Sequence, residues 1–162
     1  MDFFKQAERF TVTQKALHWA VVVLLAAQYF LFDGMGRPFH QLMETGTASY
    51  SAVPVLHIAI GILVLALAAW RLVLRLSHGS PAEPEAEPAL ARLASKIAHA
   101  AIYVLLFVLP LTGLAAWFGQ IGPAAGLHET LTNLLMALVI LHVAAALVHQ
   151  FWWKTDVLAR MR

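Results

Sequence analysis

Four long apolar runs constrain this sequence more than any other feature. They cover residues of about 16–32, 55–74, 97–118 and 131–153. Each run approaches the ~20 residues that an α-helix needs to cross ~30 Å of hydrocarbon, and backbone groups inside lipid must pair within their own segment. Strands are a poor alternative, because the runs are too long and lack alternation between apolar and polar residues. Only 12% of the 162 residues are charged, too few to cover a water-soluble globule. We therefore predict an all-α fold, an integral membrane four-helix bundle that forms one domain over residues 1–162.

The connections between the runs have the composition of loops. Residues 33–53 hold glycine, proline and small polar residues, and residues 77–88 read SHGSPAEPEAEP, which is rich in proline and acidic. Residues 119–126 form a short connection with three glycines and a proline. Inside the third run, Pro110 is expected to kink the helix because proline lacks the backbone N–H.

The basic residues are distributed unequally between the two sides of the predicted bundle. Ten of the 11 lysines and arginines fall on the side that both termini share, and Arg37 is the exception. The ten are Lys5, Arg9, Lys15, Arg71, Arg75, Arg92, Lys96, Lys154, Arg160 and Arg162. Because basic residues concentrate in cytoplasmic segments, we predict that both termini face the cytoplasm.

Histidines at matched depths are the candidate functional residues. An ionisable side chain inside the membrane is energetically costly, so it is by default a candidate functional residue. His142 lies deep in the fourth run and His128 just ahead of it, so the two are ~21 Å apart along a helix and within about 40° of one face. His57 lies near the outer start of the second run, and His18 near the cytoplasmic start of the first. This predicts two facing pairs, His57 with His128 and His18 with His142.

Paired imidazoles from facing helices are the arrangement that binds b-type haem. Small residues such as Gly61, Gly113 and the alanines at 144–146 would leave space for a flat macrocycle. The absence of cysteine excludes disulfides, iron–sulfur clusters and thiolate chemistry. Zinc is a weaker alternative because no acidic or thiol ligand accompanies the histidines at depth. A non-redox bundle, whose histidines only form hydrogen bonds, is the third reading.

The other four histidines are weaker candidates for a functional role. His40 and His78 are expected to be solvated loop residues. His99 and His149 lie near the cytoplasmic interface, where a histidine either takes a functional role or simply bonds to water or lipid headgroups.

Several stretches match a known family. They are ALHW in the first run, LHIAIG and WRLVLRL in the second, KIAHAAIYVLLFVLPLTG in the third, and HETLTNLLMALVILHVAAALVHQFWWKTDVLARM from the fourth run to near the end. With these stretches the chain resembles the bacterial cytochrome b-561 family, including its superoxide oxidase branch. The resemblance covers nearly the whole chain, and the last stretch is the most specific.

The resemblance implies a four-helix bundle of the bacterial inner membrane that binds two haems b. Carried over by motif, the axial ligands of the haem irons are His18, His57, His128 and His142. The superoxide oxidase branch implies electron transfer from superoxide at the outer face to ubiquinone near the inner face. An alternative within the resemblance is a haem-bearing anchor that passes electrons between a partner dehydrogenase and quinone.

The resemblance also implies a shell of polar residues near the inner haem that helps to bind quinone or the haem propionates. Its members are His149, His99, Arg71, Arg75 and Lys96. The expected partners are lipid, quinone and superoxide, with a dehydrogenase subunit as a further candidate and no nucleic acid. A positive field would speed the encounter with superoxide, and Arg37 is the only Lys or Arg expected on the outer face.

Overall fold

The computed structural model describes residues 6–7, 9–81, 88–155 and 157–161. Within these ranges the chain forms five α-helices, two strands of two residues each and one short 3₁₀ turn. The helices are α1 (Val12–Leu31), α2 (Gly36–Thr45), α3 (Ala52–His78), α4 (Ala89–Gly119) and α5 (Gly122–Phe151). The strands β1 (Gln6–Ala7) and β2 (Ser80–Pro81) pair in parallel, and the 3₁₀ turn covers Ala159–Met161.

Three of the described helices, α3, α4 and α5, are each long and apolar enough to cross a membrane. Helix α1 passes the same test only together with α2, from which it is separated by a bend of 71°. By length and composition, the described residues therefore supply three spans, or four when the bent pair counts as one. This agrees with the predicted helical membrane bundle.

Helix α2 corrects the prediction of a loop over residues 33–53. It covers Gly36–Thr45, is followed by Gly46 in the left-handed conformation (φ 67°), and carries His40 on its exposed face. The histidine is solvated as predicted, but it lies on a helix. His78 is likewise exposed and is the last residue of α3 rather than a loop residue.

The connection predicted over residues 119–126 is also wrong, because α5 begins at Gly122. Pro123 stands in the first turn of α5, where its missing N–H has no helical partner to lose. Only Gln120 (φ 53°) and Ile121 separate α4 from α5. His128 therefore lies within α5 and not ahead of it. Lys5, Arg162 and most of the predicted acidic connection, residues 82–87, fall outside the described residues.

The bundle has an α2 end, which carries α2, and a terminal end, where α1 begins and α5 ends. At the terminal end, Thr11 and Gln14 form a reciprocal cap: Oγ1 of Thr11 accepts from the Gln14 N–H at 3.2 Å, and Oε1 of Gln14 accepts from the Thr11 N–H at 2.9 Å. Nε2 of Gln14 also donates to the carbonyl of Gly79 at 3.1 Å, which ties the start of α1 to the end of α3.

A narrow apolar core holds the bundle together. The closest packing joins α4 to α5, α1 to α3 and α3 to α4. The core cluster consists of Val21, Val64, Ala68, Leu105, Leu106, Leu109 and Leu135. Outside it, large apolar side chains such as Leu111, Ile140 and Leu141 are more than half exposed. Helices that are apolar on all sides around so small a core are typical of a membrane-embedded bundle, in which lipid covers the outer surface.

Candidate functional site

The structure brings together both histidine pairs that the sequence predicts. At the α2 end, the ring centroids of His57 and His128 are 6.2 Å apart, and at the terminal end those of His18 and His142 are 6.4 Å apart. We call these the α2-end pair and the terminal-end pair. A metal–imidazole bond is about 2 Å long and the ring centre lies about 1 Å behind its nitrogen, so two axial ligands of one ion have centroids about 6 Å apart. Both separations fit one metal ion held between two imidazoles.

The α2-end pair is oriented by backbone carbonyls. Nδ1 of His57 lies 2.9 Å from the carbonyl oxygen of Phe32, and Nδ1 of His128 lies 2.9 Å from that of Leu109. A carbonyl oxygen can only accept, so each Nδ1 must carry the proton and donate it. The lone pair of each ring is then on Nε2, which is the form that ligates a metal.

A cavity of about 480 Å³ adjoins the α2-end pair. This volume lies within the ~300–1,000 Å³ that is usual for cofactor sites. Its walls are mainly apolar side chains of α1, α3, α4 and α5, joined by Gln28, Tyr29, Asp33 and Glu129. Nε2 of Gln28 donates to the carbonyl of His57 at 2.8 Å, whereas Oε1 of Gln28 is buried without a hydrogen-bond partner. The cavity is therefore mainly apolar with a few polar side chains, which is typical of a cofactor site.

Gly113 on α4 provides the space that the His128 ring occupies. A Cβ built at Gly113 would lie 3.1 Å from Cε1 and 3.2 Å from Nδ1 of His128. By contrast, a Cβ at Gly61 would meet Nε2 of Gln28 at an ordinary 3.7 Å. The space expected for a macrocycle beside Gly113 is thus occupied by the His128 ring.

The terminal-end pair is surrounded by side chains instead of carbonyls. Nη2 of Arg71 lies 3.2 Å from Nδ1 of His18 and must donate to it, which places the ring proton on Nε2. The His18 ring has the separation of an axial ligand from His142, but ligation through Nε2 would require its proton to move to Nδ1 and Arg71 to release that nitrogen. On the opposite side, His99 meets His142 edge to face, with centroids 5.0 Å apart and planes at 89°. Nδ1 of His99 donates to the carbonyl of Ser95 at 2.7 Å.

Tyr103 was missed in the sequence and joins this terminal-end group. The guanidinium carbons of Arg71 and Arg75 lie 5.6 and 6.0 Å from the centre of its ring, in cation–π contact. The available signal was spacing, because Tyr103 follows His99 by four residues and therefore shares its helix face.

The other two predicted shell residues are His149 and Lys96. His149 is two turns beyond His142 on α5 and only 8% exposed, with Nδ1 2.9 Å from Oγ1 of Thr155 and the Trp153 ring at 4.7 Å. Lys96 is exposed on α4. The structure thus gathers Arg71, Arg75 and His99 around the terminal-end pair and encloses His149 in the turn that follows α5.

The zinc alternative gains no support. In the part of the chain that the structure describes, no group of three or more His, Cys, Asp and Glu side chains could hold a metal ion. Nε2 of His40 lies 3.1 Å from Oε1 of Glu44 on the exposed surface of α2.

An apolar helical bundle in which histidines face each other in ligand-spaced pairs defines the class of membrane cytochromes b. The chain belongs to the prokaryotic cytochrome b561 family, whose sequence model matches residues 9–162. It is 31% identical to cytochrome b562 of Cereibacter sphaeroides, over 96% of both chains. It is 27% identical to cytochrome b561 homolog 1 of Escherichia coli K12 (94% of this chain, 96% of the relative) and 26% identical to the probable superoxide oxidase CybB of Yersinia pestis (95% and 96%). The predicted family is confirmed, and with it a membrane haem protein of electron transport.

Proposed function

We propose that the chain holds two haems b, one between each histidine pair, and conducts electrons across the membrane to a quinone. The observation that carries the proposal is the ligand spacing of both pairs, at 6.2 and 6.4 Å, on two levels of one bundle. Haem b supplies one-electron oxidation and reduction when bound. The unequal distribution of basic residues supports an orientation with both termini in the cytoplasm, in a bacterial inner membrane. Residues 1–162 act as one domain in this proposal.

The side chains around the pairs have distinct tasks. The carbonyls of Phe32 and Leu109 fix the ring tautomers of the α2-end pair. Arg71 and Arg75, beside the terminal-end pair, bind haem carboxylates, because guanidinium groups match carboxylates in charge and geometry. The apolar core between the two levels excludes water.

Quinone binds at the terminal end in this proposal. Reduction of a quinone consumes protons as well as electrons, and a histidine can supply a proton near neutral pH. We assign the supply of protons to His149, with Lys96 at the nearby interface.

Superoxide is the first candidate for the electron donor at the α2 end. The name of the relative from Yersinia pestis supports it, and one-electron transfer from superoxide needs no acid or nucleophile from the protein. The carboxylates Asp33 and Glu129 line the cavity at this end and repel an anion, with Arg37 as the opposing charge. We therefore expect superoxide to react faster as ionic strength rises, because salt screens this repulsion.

A protein donor is the second candidate, and the same carboxylates favour it. An acidic entrance attracts a basic partner surface, such as that of a dehydrogenase subunit or a small electron carrier. Electron transfer from such a partner slows as salt is added. Stopped-flow mixing of the purified protein with superoxide separates the candidates: haems that stay oxidised without a partner refute the superoxide donor.

Haem stoichiometry tests the proposal as a whole. We expect two haems b per purified chain, one after His57→Ala and one after His142→Ala, each lost from a different site. His40→Ala and His78→Ala are matched controls, because both side chains are exposed and away from the pairs, and both should keep two haems. A wild-type chain with fewer than two haems, or full haem content in either ligand variant, refutes the assignment.

A further inference from the structure

His149 is held by the turn of the chain that follows α5. Among the residues that the structure describes, it is the one polar residue that is buried, with 8% of its surface exposed. The N–H of Trp153 donates to the carbonyl of Val148 at 3.1 Å, and the N–H of Thr155 donates to the carbonyl of His149 at 2.9 Å. These bonds turn the chain back toward α5, so that Trp153 and Thr155 both contact the imidazole.

Lys154 gives this turn an unusual backbone conformation. Its φ is 52°, in the left-handed region that residues other than glycine rarely adopt. Such conformations persist where the surrounding contacts hold them, and they are frequent at functional sites. The residue before Lys154 places its indole edge to face with the His149 ring, at 4.7 Å between centroids, and the residue after it places a hydroxyl beside Nδ1.

The hydroxyl of Thr155 determines where the neutral His149 ring carries its proton. Oγ1 donates to the His149 carbonyl at 3.3 Å and lies 2.9 Å from Nδ1 of the same residue. A hydroxyl has a single hydrogen, and with that hydrogen directed to the carbonyl, Oγ1 accepts from Nδ1–H. Nδ1 therefore keeps its proton, and Nε2 is the nitrogen that gains or loses one.

We infer that Thr155 is a positioning residue for proton transfer to the quinone. It holds the His149 ring so that Nδ1–H is retained and Nε2–H is the proton given up. In the transfer, the Nε2–H bond of the protonated ring breaks and an O–H bond forms on the quinone, which receives the electrons that the proposed function supplies. The ring is left neutral with its Nδ1–H and takes up a new proton from water. The inference rests on the proposed function, because it requires His149 to supply protons to the quinone.

Reoxidation of the reduced holoprotein by a short-chain ubiquinone, followed by stopped flow, tests the inference. Reducing the protein beforehand removes the electron donor from the measurement, and varying the quinone concentration separates the limiting rate from the half-saturation concentration. Thr155→Val keeps the shape of the side chain but removes the hydroxyl. The limiting rate should fall by about 2- to 12-fold, which corresponds to one hydrogen bond, while the half-saturation concentration changes by less than about twofold. Thr155→Ser retains a hydroxyl and should retain the wild-type rate.

Thr130→Val is the matched control. Oγ1 of Thr130 donates to the Gly126 carbonyl near the opposite end of α5, so its loss should leave the limiting rate unchanged. The threonine variants should all keep the haem content and visible spectrum of the wild type. Nitrogen NMR of protein with isotope-labelled histidine measures the tautomer separately, with the His149 signals identified by their loss in His149→Gln. The neutral ring should carry its proton on Nδ1 in the wild type and in Thr155→Ser, and should lose this preference in Thr155→Val.

The outcomes separate the inference from the proposed function. An unchanged limiting rate in Thr155→Val, or a His149 tautomer that does not respond to it, overturns the inference. If Thr155→Val does not assemble with haem, Thr155→Ala is used for the same two measurements. If His149→Gln itself is reoxidised by quinone at the wild-type rate, the proposed supply of protons by His149 is refuted, and the inference falls with it.

Discussion

Gly113→Ala tests how tightly the His128 ring is held against α4. The new Cβ would lie 3.1 Å from Cε1 of His128, whereas an ordinary carbon–carbon contact is about 3.5–4.0 Å. The ring must therefore retreat from α4 by about 0.4 Å or more. The same movement lengthens the 2.9 Å bond from Nδ1 to the Leu109 carbonyl to about 3.3 Å, beyond the usual range of about 2.7–3.2 Å.

The cost follows from overpacking. An extra methyl group in a packed position costs about 1–3 kcal/mol. The ring relieves this cost by turning away from its ligand position, and haem binding must bring it back. At 1.4 kcal/mol per tenfold, haem affinity at the α2-end pair should fall by about 5- to 150-fold.

Gly61→Ala is the matched control. It is also a glycine inside a membrane-spanning helix, so it gains the same helix propensity of about 1 kcal/mol, but its Cβ meets Gln28 at an unstrained 3.7 Å. Haem titration of the apoprotein, followed by visible absorption, gives both affinities. If the two variants bind two haems with equal affinity, Gly113 does not position the ring and the reasoning fails.

Three other predictions concern stability and are measured on the purified protein in detergent. Tyr29→Phe removes the hydrogen bond from the phenol to the Thr132 carbonyl, which joins α1 to α5, and should cost about 0.5–1.5 kcal/mol of unfolding free energy without changing the haem spectrum. Thr11→Ala breaks the cap of α1 and should cost about 0.5–2 kcal/mol, while Thr13→Ala, two residues further on, should cost much less; equal losses would argue against the cap. Trp19→Phe removes the 2.9 Å bond from Nε1 to the Met161 carbonyl, so limited proteolysis should cleave the segment after α5 faster than in the wild type, and unchanged cleavage would show that this bond does not hold the segment.

Depth and spacing along single helices predicted the parts of the site that depend on one helix at a time. His128 and His142 share a face of α5 because 14 residues are nearly four turns, and that relation holds in any helix. Pairing with His57 and His18 followed because each was expected at the matching level.

Features that depend on how helices pack against each other could not be predicted from the sequence. The contact between His99 and His142 requires the register of α4 against α5, and the contact between Arg71 and His18 requires that of α3 against α1. Gly113 could be recognised as small, but the ring that fills its space could not be identified.

Glycine and proline misled the prediction of helix ends. Residues 36–45 (GRPFHQLMET) are too short and too polar for a span, so α2 looked like a loop, although a ten-residue amphipathic helix suits a membrane surface. Pro123 indicated a connection, yet proline is equally at home in the first turn of a helix.

The separation of His128 from His142 along α5 makes the proposed electron transfer electrogenic. A path of ~21 Å along the helix crosses about two-thirds of a ~30 Å hydrocarbon layer. Moving one elementary charge across the whole membrane changes its energy by about 2.3 kcal/mol per 100 mV of membrane potential. Transfer of one electron over two-thirds of the membrane therefore changes its energy by about 1.6 kcal/mol per 100 mV. In the proposed orientation an electron moves toward the negative side, so an energised membrane opposes each transfer. Turnover in vesicles should therefore slow as the inside is made more negative and speed up when an ionophore collapses the potential.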